Sequence, residues 1–193
     1  MTHGSLFSGI GGFDLVAARV GWVNVFSVEN DKFCDALLRM RFKGVKRYGD
    51  IKEFAKNEAK TYRGRIDVIS GGDPCQPHST AGKRVGKEDV RYLWPEMLAV
   101  IKAIGPRWVV NENVVGSISN GVFDEKCAQL ESIGYACRAF VIPASAVGLP
   151  HRRYRVWIVA YRTECGAGRA PVQREGEKEK GTIYQTLPEL IYR

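Results

Sequence analysis

Between residues 5 and 161 short apolar runs alternate with stretches whose apolar residues fall at three- and four-residue spacing, and no internal repeat interrupts the pattern. The apolar runs have the length of strands and the spans between them the length of helices, which is the signature of an α/β sheet. Strands are expected at 5–8, 23–28, 66–70, 108–110, 137–142 and 156–160, with a short extended piece at 47–48. Helices are expected at 13–20, 32–42, 93–104 and 123–132. Pro95 near a helix start and Gly105-Pro106 after its end are ordinary punctuation. The polar segment 71–92 breaks the rhythm. Loops of that length are usually functional lids or disordered, and this one carries Lys83, Arg84, Lys87 and Arg91. After Arg162 the composition turns to Gly, Glu, Lys and Arg, the mark of a solvated linker, ending in a small apolar segment at 183–192.

A chain of 193 residues suits one sizeable domain. Its longest apolar stretches, such as 140–150, are broken by Pro and Gly and fall short of the roughly 20 residues a spanning helix needs. The expected location is therefore cytoplasmic, in a bacterial, archaeal or phage-encoded setting, with no membrane partner. Five cysteines without a CxxC pair argue against a disulfide framework and against a structural metal site, so no metal is expected. The net charge is +8. Residues 163–193 hold five charges of each sign, so the whole excess lies in 1–162. A basic body with a neutral tail suggests a polyanionic partner, nucleic acid before membrane.

Four segments could carry chemistry. Residues 5–13, SLFSGIGGF, join the first strand to the first helix, where a glycine turn lets a ligand approach backbone N–H groups and the helix N-terminus. The dinucleotide fingerprint is not met, because Asp14 stands where its third glycine belongs. Glu29 ends the second strand, either accepting hydrogen bonds from ribose hydroxyls or capping the helix from Lys32. Asp50, before Ile51, either contacts an adenine edge or caps a helix.

The second segment, 71–79, GGDPCQPHS, follows a strand at its carboxyl end. Cys75 sits between two prolines and is held on a loop, unlike Cys34, Cys127 and Cys137, which read as small buried hydrophobes. His78 is either its base or an exposed loop histidine. The third, Asn111-Glu112-Asn113-Val114, ends another strand, so a thiol and a carboxyl are presented toward one edge. In the fourth, Arg153 and Arg155 alternate with Tyr154. They are either a solvated charge run or two side chains sharing one face of an extended chain.

Taken together and in this order, these segments resemble the cytosine-5 DNA methyltransferase family. Residues 6–12 look like its cofactor loop, Gly72-x-Pro74-Cys75-Gln76-Pro77 like its nucleophile loop, Glu112-Asn113-Val114 like its carboxylate motif, and Arg153-x-Arg155 like its arginine motif. The resemblance covers residues 4 to 162. It implies an α/β fold of the S-adenosylmethionine-dependent methyltransferase (Rossmann-like) type, a mixed sheet of seven strands or slightly fewer with helices on both faces. It implies S-adenosylmethionine as cofactor, held by Phe7, Gly9, Gly11, Gly12, Glu29, Asn30, Asp50, Ile51, Pro74 and Leu93, with Phe7 stacking on adenine and Glu29 holding the ribose. Cys75 would add to C6 of a flipped-out cytosine, Glu112 would supply a proton at N3, Arg155 would bind O2, and Arg153 would orient the thiol and carboxyl. DNA is the implied partner, with Ser79, Lys83, Arg84 and Lys87 of the long loop as its expected contacts.

The departures are as informative. Asp73 and Asn111 occupy positions usually apolar in the family, where each either perturbs the neighbouring carboxyl or thiol or faces solvent. The expected division is a catalytic domain at 1–162 and a short polar tail or truncated recognition segment at 163–193. Neither the family's target-recognition domain nor its closing motifs can be found. Two other functions stay open: a half-enzyme or non-catalytic DNA-binding subunit needing a second chain for target recognition, and a tRNA cytosine-5 methyltransferase.

Overall fold

The structure is a computed structural model that describes residues 1–74, 92–119 and 121–163. The chain runs β1 (Thr2–Leu6), α1 (Gly12–Arg19), β2 (Val23–Val28), α2 (Lys32–Arg41), β3 (Lys46–Tyr48), α3 (Ile51–Glu53), β4 (Val68–Gly71), α4 (Trp94–Ile104), β5 (Trp108–Val114), α5 (Gly116–Ser119), α6 (Val122–Glu131), β6 (Tyr135–Ile142) and β7 (Arg155–Arg162). Seven strands form one sheet in the order β3-β2-β1-β4-β5-β7-β6. The first five in that order are mutually parallel, and β7 runs antiparallel between β5 and β6.

The sheet has two unlike faces because side chains alternate along each strand. On one face Ser5 lies opposite both Ser27 and Ser70, giving a row of small side chains across three strands. All three are buried. Against this face α1 packs through Asp14 and Ala17, and Asn24 donates from Nδ2 to the Asp14 carbonyl at 2.8 Å. On the other face Leu6, Phe26, Val28 and Ile69 meet Phe54, Tyr62 and Met97 in the apolar core. Phe26 stacks on Phe54 and Tyr62 with ring centroids 4.9 and 4.6 Å away. Consecutive residues of β1 and β4 are buried, as expected for a parallel sheet covered on both faces.

Three differences from the sequence pattern have physical causes. β1 begins at Thr2 and stops before Phe7, whose φ of 52° ends the extended conformation. β5 continues through Val114 because β7 pairs with its whole length, Glu112 opposite Trp157 and Val114 opposite Arg155. Residues 51–62, which carry no assigned element in the sequence pattern beyond the alternative of a cap at Asp50, coil as α3, one π-helical turn (Phe54–Glu58) and a 3₁₀ turn (Ala59–Tyr62). Ile51, Phe54, Ala55, Ala59 and Tyr62 supply a helical apolar spacing there, diluted by lysines and glutamates. Among the described residues no helix is long and apolar enough to cross a membrane.

Asp14 explains itself only in part. Its carboxyl is fully buried, and among the described residues neither oxygen has a hydrogen-bond partner of good geometry. Burial pushes its pKa up, against the opposing influence of neighbouring His3 and Ser5. A carboxyl whose folded pKa is raised costs stability as pH rises through that value, and costs nothing below its ordinary pKa, where both states are protonated. Asp14→Asn should therefore stabilise the fold by about 1 kcal/mol at pH 8, with the gain shrinking as pH falls toward 4. Urea denaturation of both proteins across that range measures it.

Candidate active site

Five parallel strands bring their carboxyl ends to one edge, and the loops leaving them enclose a cavity of about 590 Å³. That is the size range of small-molecule sites. Phe7 enters it from the loop after β1, Glu29 and Asn30 from the end of β2, Asp50 and Ile51 from the start of α3, Pro74 from beyond β4, and Leu93 from the residue before α4. Val28, Asp31, Gly49 and Lys52 also line it, and the sequence pattern did not single them out. Gly9, Gly11 and Gly12 are not among its lining residues and act behind it. Gly9 donates its backbone N–H to Glu29 Oε2 at 2.6 Å, and Asp31 donates its own to Glu29 Oε1 at 2.8 Å. The Glu29 carboxylate is thus fixed by two amides with acceptor capacity left on each oxygen. Gly11, at φ 86°, caps α1 in a conformation that favours glycine, and a Cβ there would collide with Phe42.

The two open readings of these acids resolve differently. Glu29 does not cap α2; Asp31 does, accepting from the Cys34 amide at 2.8 Å. Asp50 caps α3, accepting from the Lys52 amide at 2.6 Å, and lines the cavity as well. Phe7, in the left-handed region, is held there by a backbone anchored on each side, since Ser8 donates to the Val28 carbonyl at 3.1 Å.

Beside the cavity, Glu112 and Arg155 lie diagonally on adjacent antiparallel strands, and Arg155 Nε donates to Glu112 Oε1 at 2.7 Å. Both side chains are about a quarter exposed. Burial drives the Glu112 pKa up from its ordinary value; Arg155 and Arg153 pull the other way, and Asp73 adds to the upward push. Gly72 lies so close that a Cβ there would sit 3.0 Å from Glu112 Oε2. Arg153 holds a φ of 27°, a strained value for a residue with a side chain.

Asp73 and Asn111 do not face solvent. Both are buried in a polar cluster that the sequence pattern missed: Lys126 of α6 pairs with Asp73 Oδ1, and Asn111 Nδ2 donates to the same oxygen at 2.8 Å. Lys126 itself is 1% exposed. Its position among Val122, Phe123 and Leu130 on the buried side of α6 was the available signal, a lysine at a core-facing register. Cys34, Cys127 and Cys137 are half-buried and free. Cys75, His78, Ser79, Lys83, Arg84 and Lys87 lie outside the described residues. Among the described residues no group of three or more His, Cys, Asp or Glu is placed to hold a metal ion.

A mixed seven-stranded sheet with one reversed strand and a nucleoside-sized cavity at its switch point defines the Rossmann-like methyltransferase fold. The chain belongs to the C-5 cytosine-specific DNA methylase family, whose model matches residues 1–191. It is 35% identical over 160 residues to the Type II methyltransferase M.HaeII of Haemophilus aegyptius, covering 81% of this chain and 49% of that one. To the Type II methyltransferase M.AquIA of a Picosynechococcus strain it is 34% identical over 175 residues, covering 82% of this chain and 71% of that one. Among solved structures, a putative DNA modification methyltransferase encoded within an Escherichia coli prophage superposes with a TM-score of 0.66 at 26% identity, covering 84% of this chain and 47% of that one. The Spodoptera frugiperda DNMT2 structure has the same fold at a TM-score of 0.70 and 18% identity, covering 96% of this chain and 55% of that one. The chain spans about half the length of most of the curated relatives it matches.

The contest at Glu112 gives a direct test. A guanidinium beside a carboxylate favours its ionised form, so Arg155→Ala should move the Glu112 titration to higher pH. Carboxyl carbon NMR on protein labelled at glutamate reads the titration.

Proposed function

We propose that this chain transfers a methyl group from S-adenosylmethionine to C5 of a cytosine in DNA, through a covalent adduct on Cys75. The observation that carries this reading is the Glu112–Arg155 pair, set at the same strand-end edge as the cavity and packed against Gly72 of the Cys75 loop. Pro74 lines that cavity and is bonded to Cys75. Residues 1–162 form the catalytic unit in this reading, with 163–193 as a short polar tail.

The lining fits the cofactor. An aromatic ring at Phe7, apolar walls at Ile51, Pro74 and Leu93, and carboxylates at Glu29 and Asp50 match a flat base, its ribose hydroxyls and a polar edge. Glu29 takes the ribose, because its oxygens are already oriented by the Gly9 and Asp31 amides. When bound, S-adenosylmethionine supplies the electrophilic methyl group that C5 takes.

The protein's own task is to make C5 nucleophilic, and it does so by covalent addition. The Cys75 thiolate forms a bond to C6 while Glu112 delivers a proton to N3, so the C5–C6 double bond is consumed, its electrons shift to C4–C5, and C5 becomes the nucleophilic carbon of an enamine. Burial, which pushes the Glu112 pKa up, favours the protonated carboxyl that this step calls for. Arg155 binds O2 and Arg153 orients the thiol and carboxyl. Once C5 is methylated, water removes its hydrogen as a proton, the S–C6 bond breaks, and N3 returns its proton to Glu112. Ser79, Lys83, Arg84 and Lys87 contact the DNA backbone in this reading.

DNA carrying 5-fluorocytosine, incubated with S-adenosylmethionine, should trap Cys75 covalently, since fluorine cannot leave as a proton does. Cys75→Ser should give neither adduct nor turnover, and Glu112→Gln should keep the fold and slow transfer by about a hundredfold or more. Duplex DNA and tRNA assayed side by side identify the substrate, and turnover retained in Cys75→Ser sinks the covalent route. Calorimetry with S-adenosylhomocysteine tests the cavity separately. Saturable binding should weaken about tenfold in Glu29→Ala through lost ribose hydrogen bonds, and unchanged affinity would remove Glu29 from that role.

A further inference from the structure

The buried cluster behind Glu112 has no part in the chemistry described above, yet it is built around it. Asn111 and Asn113 flank Glu112 on β5, so their side chains leave the sheet on the face opposite to the carboxyl. There both donate to Asp73: Asn111 Nδ2 reaches Oδ1 at 2.8 Å and Asn113 Nδ2 reaches it at 3.4 Å. Asn111 also donates to the Gly71 carbonyl at 3.0 Å, and Lys126 closes the cluster by pairing with Asp73 and donating to Asn111 Oδ1 at 3.3 Å. The Lys126 ammonium lies 4.8 Å above the Trp94 ring, which caps it on the remaining side. Asp73, Asn111, Asn113 and Lys126 are all buried.

A buried ion pair is a poor device for stability, because the cost of desolvating two charges offsets most of their attraction and apolar pairs of similar volume do as well. What this one does is geometric. It ties the backbone of Gly71 and Asp73 to the two residues on either side of Glu112, across the gap between β4 and β5. We propose that Asp73 and Lys126 are a positioning pair, which fixes the Glu112 carboxyl against Gly72 and the start of the Cys75 loop from the opposite face of the sheet. The inference deepens the assignment of Glu112 as proton donor and rests on it. Its electrostatic consequence follows from the charges around the carboxyl. Glu112 faces Arg155 of β7, Arg153 before that strand, and Asp73, whose negative charge favours the protonated form; Asp73 in turn faces Lys126 and the Tyr92 hydroxyl.

Two variants of the full chain test this. Asp73→Asn keeps the size of the side chain and deletes the negative charge, so the Glu112 titration followed by carboxyl NMR should move to lower pH. The apolar pair Asp73→Leu with Lys126→Met removes the tie while filling the space. It should unfold in urea at a midpoint no lower than wild type, bind S-adenosylhomocysteine within a few-fold of wild type, and lose kcat by about tenfold or more with KM for DNA nearly unchanged. An unmoved Glu112 titration in Asp73→Asn overturns the proposal, as does wild-type kcat in the folded double variant. A double variant that fails to fold makes the pair structural and overturns it equally. If wild-type protein methylates neither DNA nor tRNA, the catalytic assignment fails, and the NMR titration still decides whether the pair governs Glu112.

Discussion

Five parallel strands set everything else in this molecule, because parallel alignment sends all their carboxyl ends to one edge and forces the connections to cross behind the sheet. The chain winds outward from β1 through β2 to β3, then returns to the other side of β1 for β4 and β5. The loop after β1 is therefore at the switch point, where neighbouring connections leave in opposite directions and a cleft must open. Phe7, Glu29, Asp50 and Pro74 come from four different strand ends and line the same cavity for that reason alone. The antiparallel β7 adds what parallel strands cannot. It puts the beginning of a strand at this edge, so Arg155 arrives beside Glu112 at the end of β5.

The contrast between the two sheet faces follows from how closely each must be covered. Ser27, Ser5 and Ser70 form a row of short side chains, which lets α1 approach the strands and brings the turn at Gly11 close to Phe42 and Leu38. The opposite face carries the aromatic cluster of Phe26, Tyr48, Phe54 and Tyr62, where the Tyr48 and Tyr62 hydroxyls share a 2.8 Å hydrogen bond and burial takes the Tyr62 pKa to about 12. Area burial favours the aromatic side, at about 25 cal/mol per Å² of apolar surface. The serine side instead carries polar groups, His3, Asn24 and Asp14, that must find partners among themselves. His3 succeeds, bonded to Asn24 and Ser70 at 2.7 Å each, and Asp14 does not.

Much of this was legible in the amino-acid sequence, and the rest failed for identifiable reasons. The alternation of runs marked six of the seven strands, because burial on both faces leaves continuous apolar stretches that periodicity detects, whereas β3, Lys46-Arg47-Tyr48 at the sheet edge, carries no such run. Strand ends were less legible, since β5 extends through Asn111, Glu112 and Asn113, three polar residues held extended by pairing with β7. Pairing is a tertiary fact that no local pattern carries. Glu29 and Asp50 were visible because an acid just after a strand has a chemical meaning, whereas Val28, Asp31, Gly49 and Lys52 also line the cavity and were not singled out. Lys126 shows the limit most clearly. It lies 53 residues from its partner Asp73, and nothing in either segment names the other.

The Glu112 environment holds two opposed demands in balance. Proton donation to a ring nitrogen, the role proposed for Glu112, calls for a carboxyl that keeps its proton, which burial favours by disfavouring the charge. Orientation of that carboxyl calls for strong hydrogen bonds, and the strongest available donor, a guanidinium at 2.7 Å, stabilises the ionised form instead. The net displacement is upward, so desolvation exceeds the combined pull of Arg155 and Arg153 even with a quarter of the side chain still open to water. Asp73 acts in the same direction from a buried position behind the sheet, where its charge biases the carboxyl without competing for its hydrogen bonds.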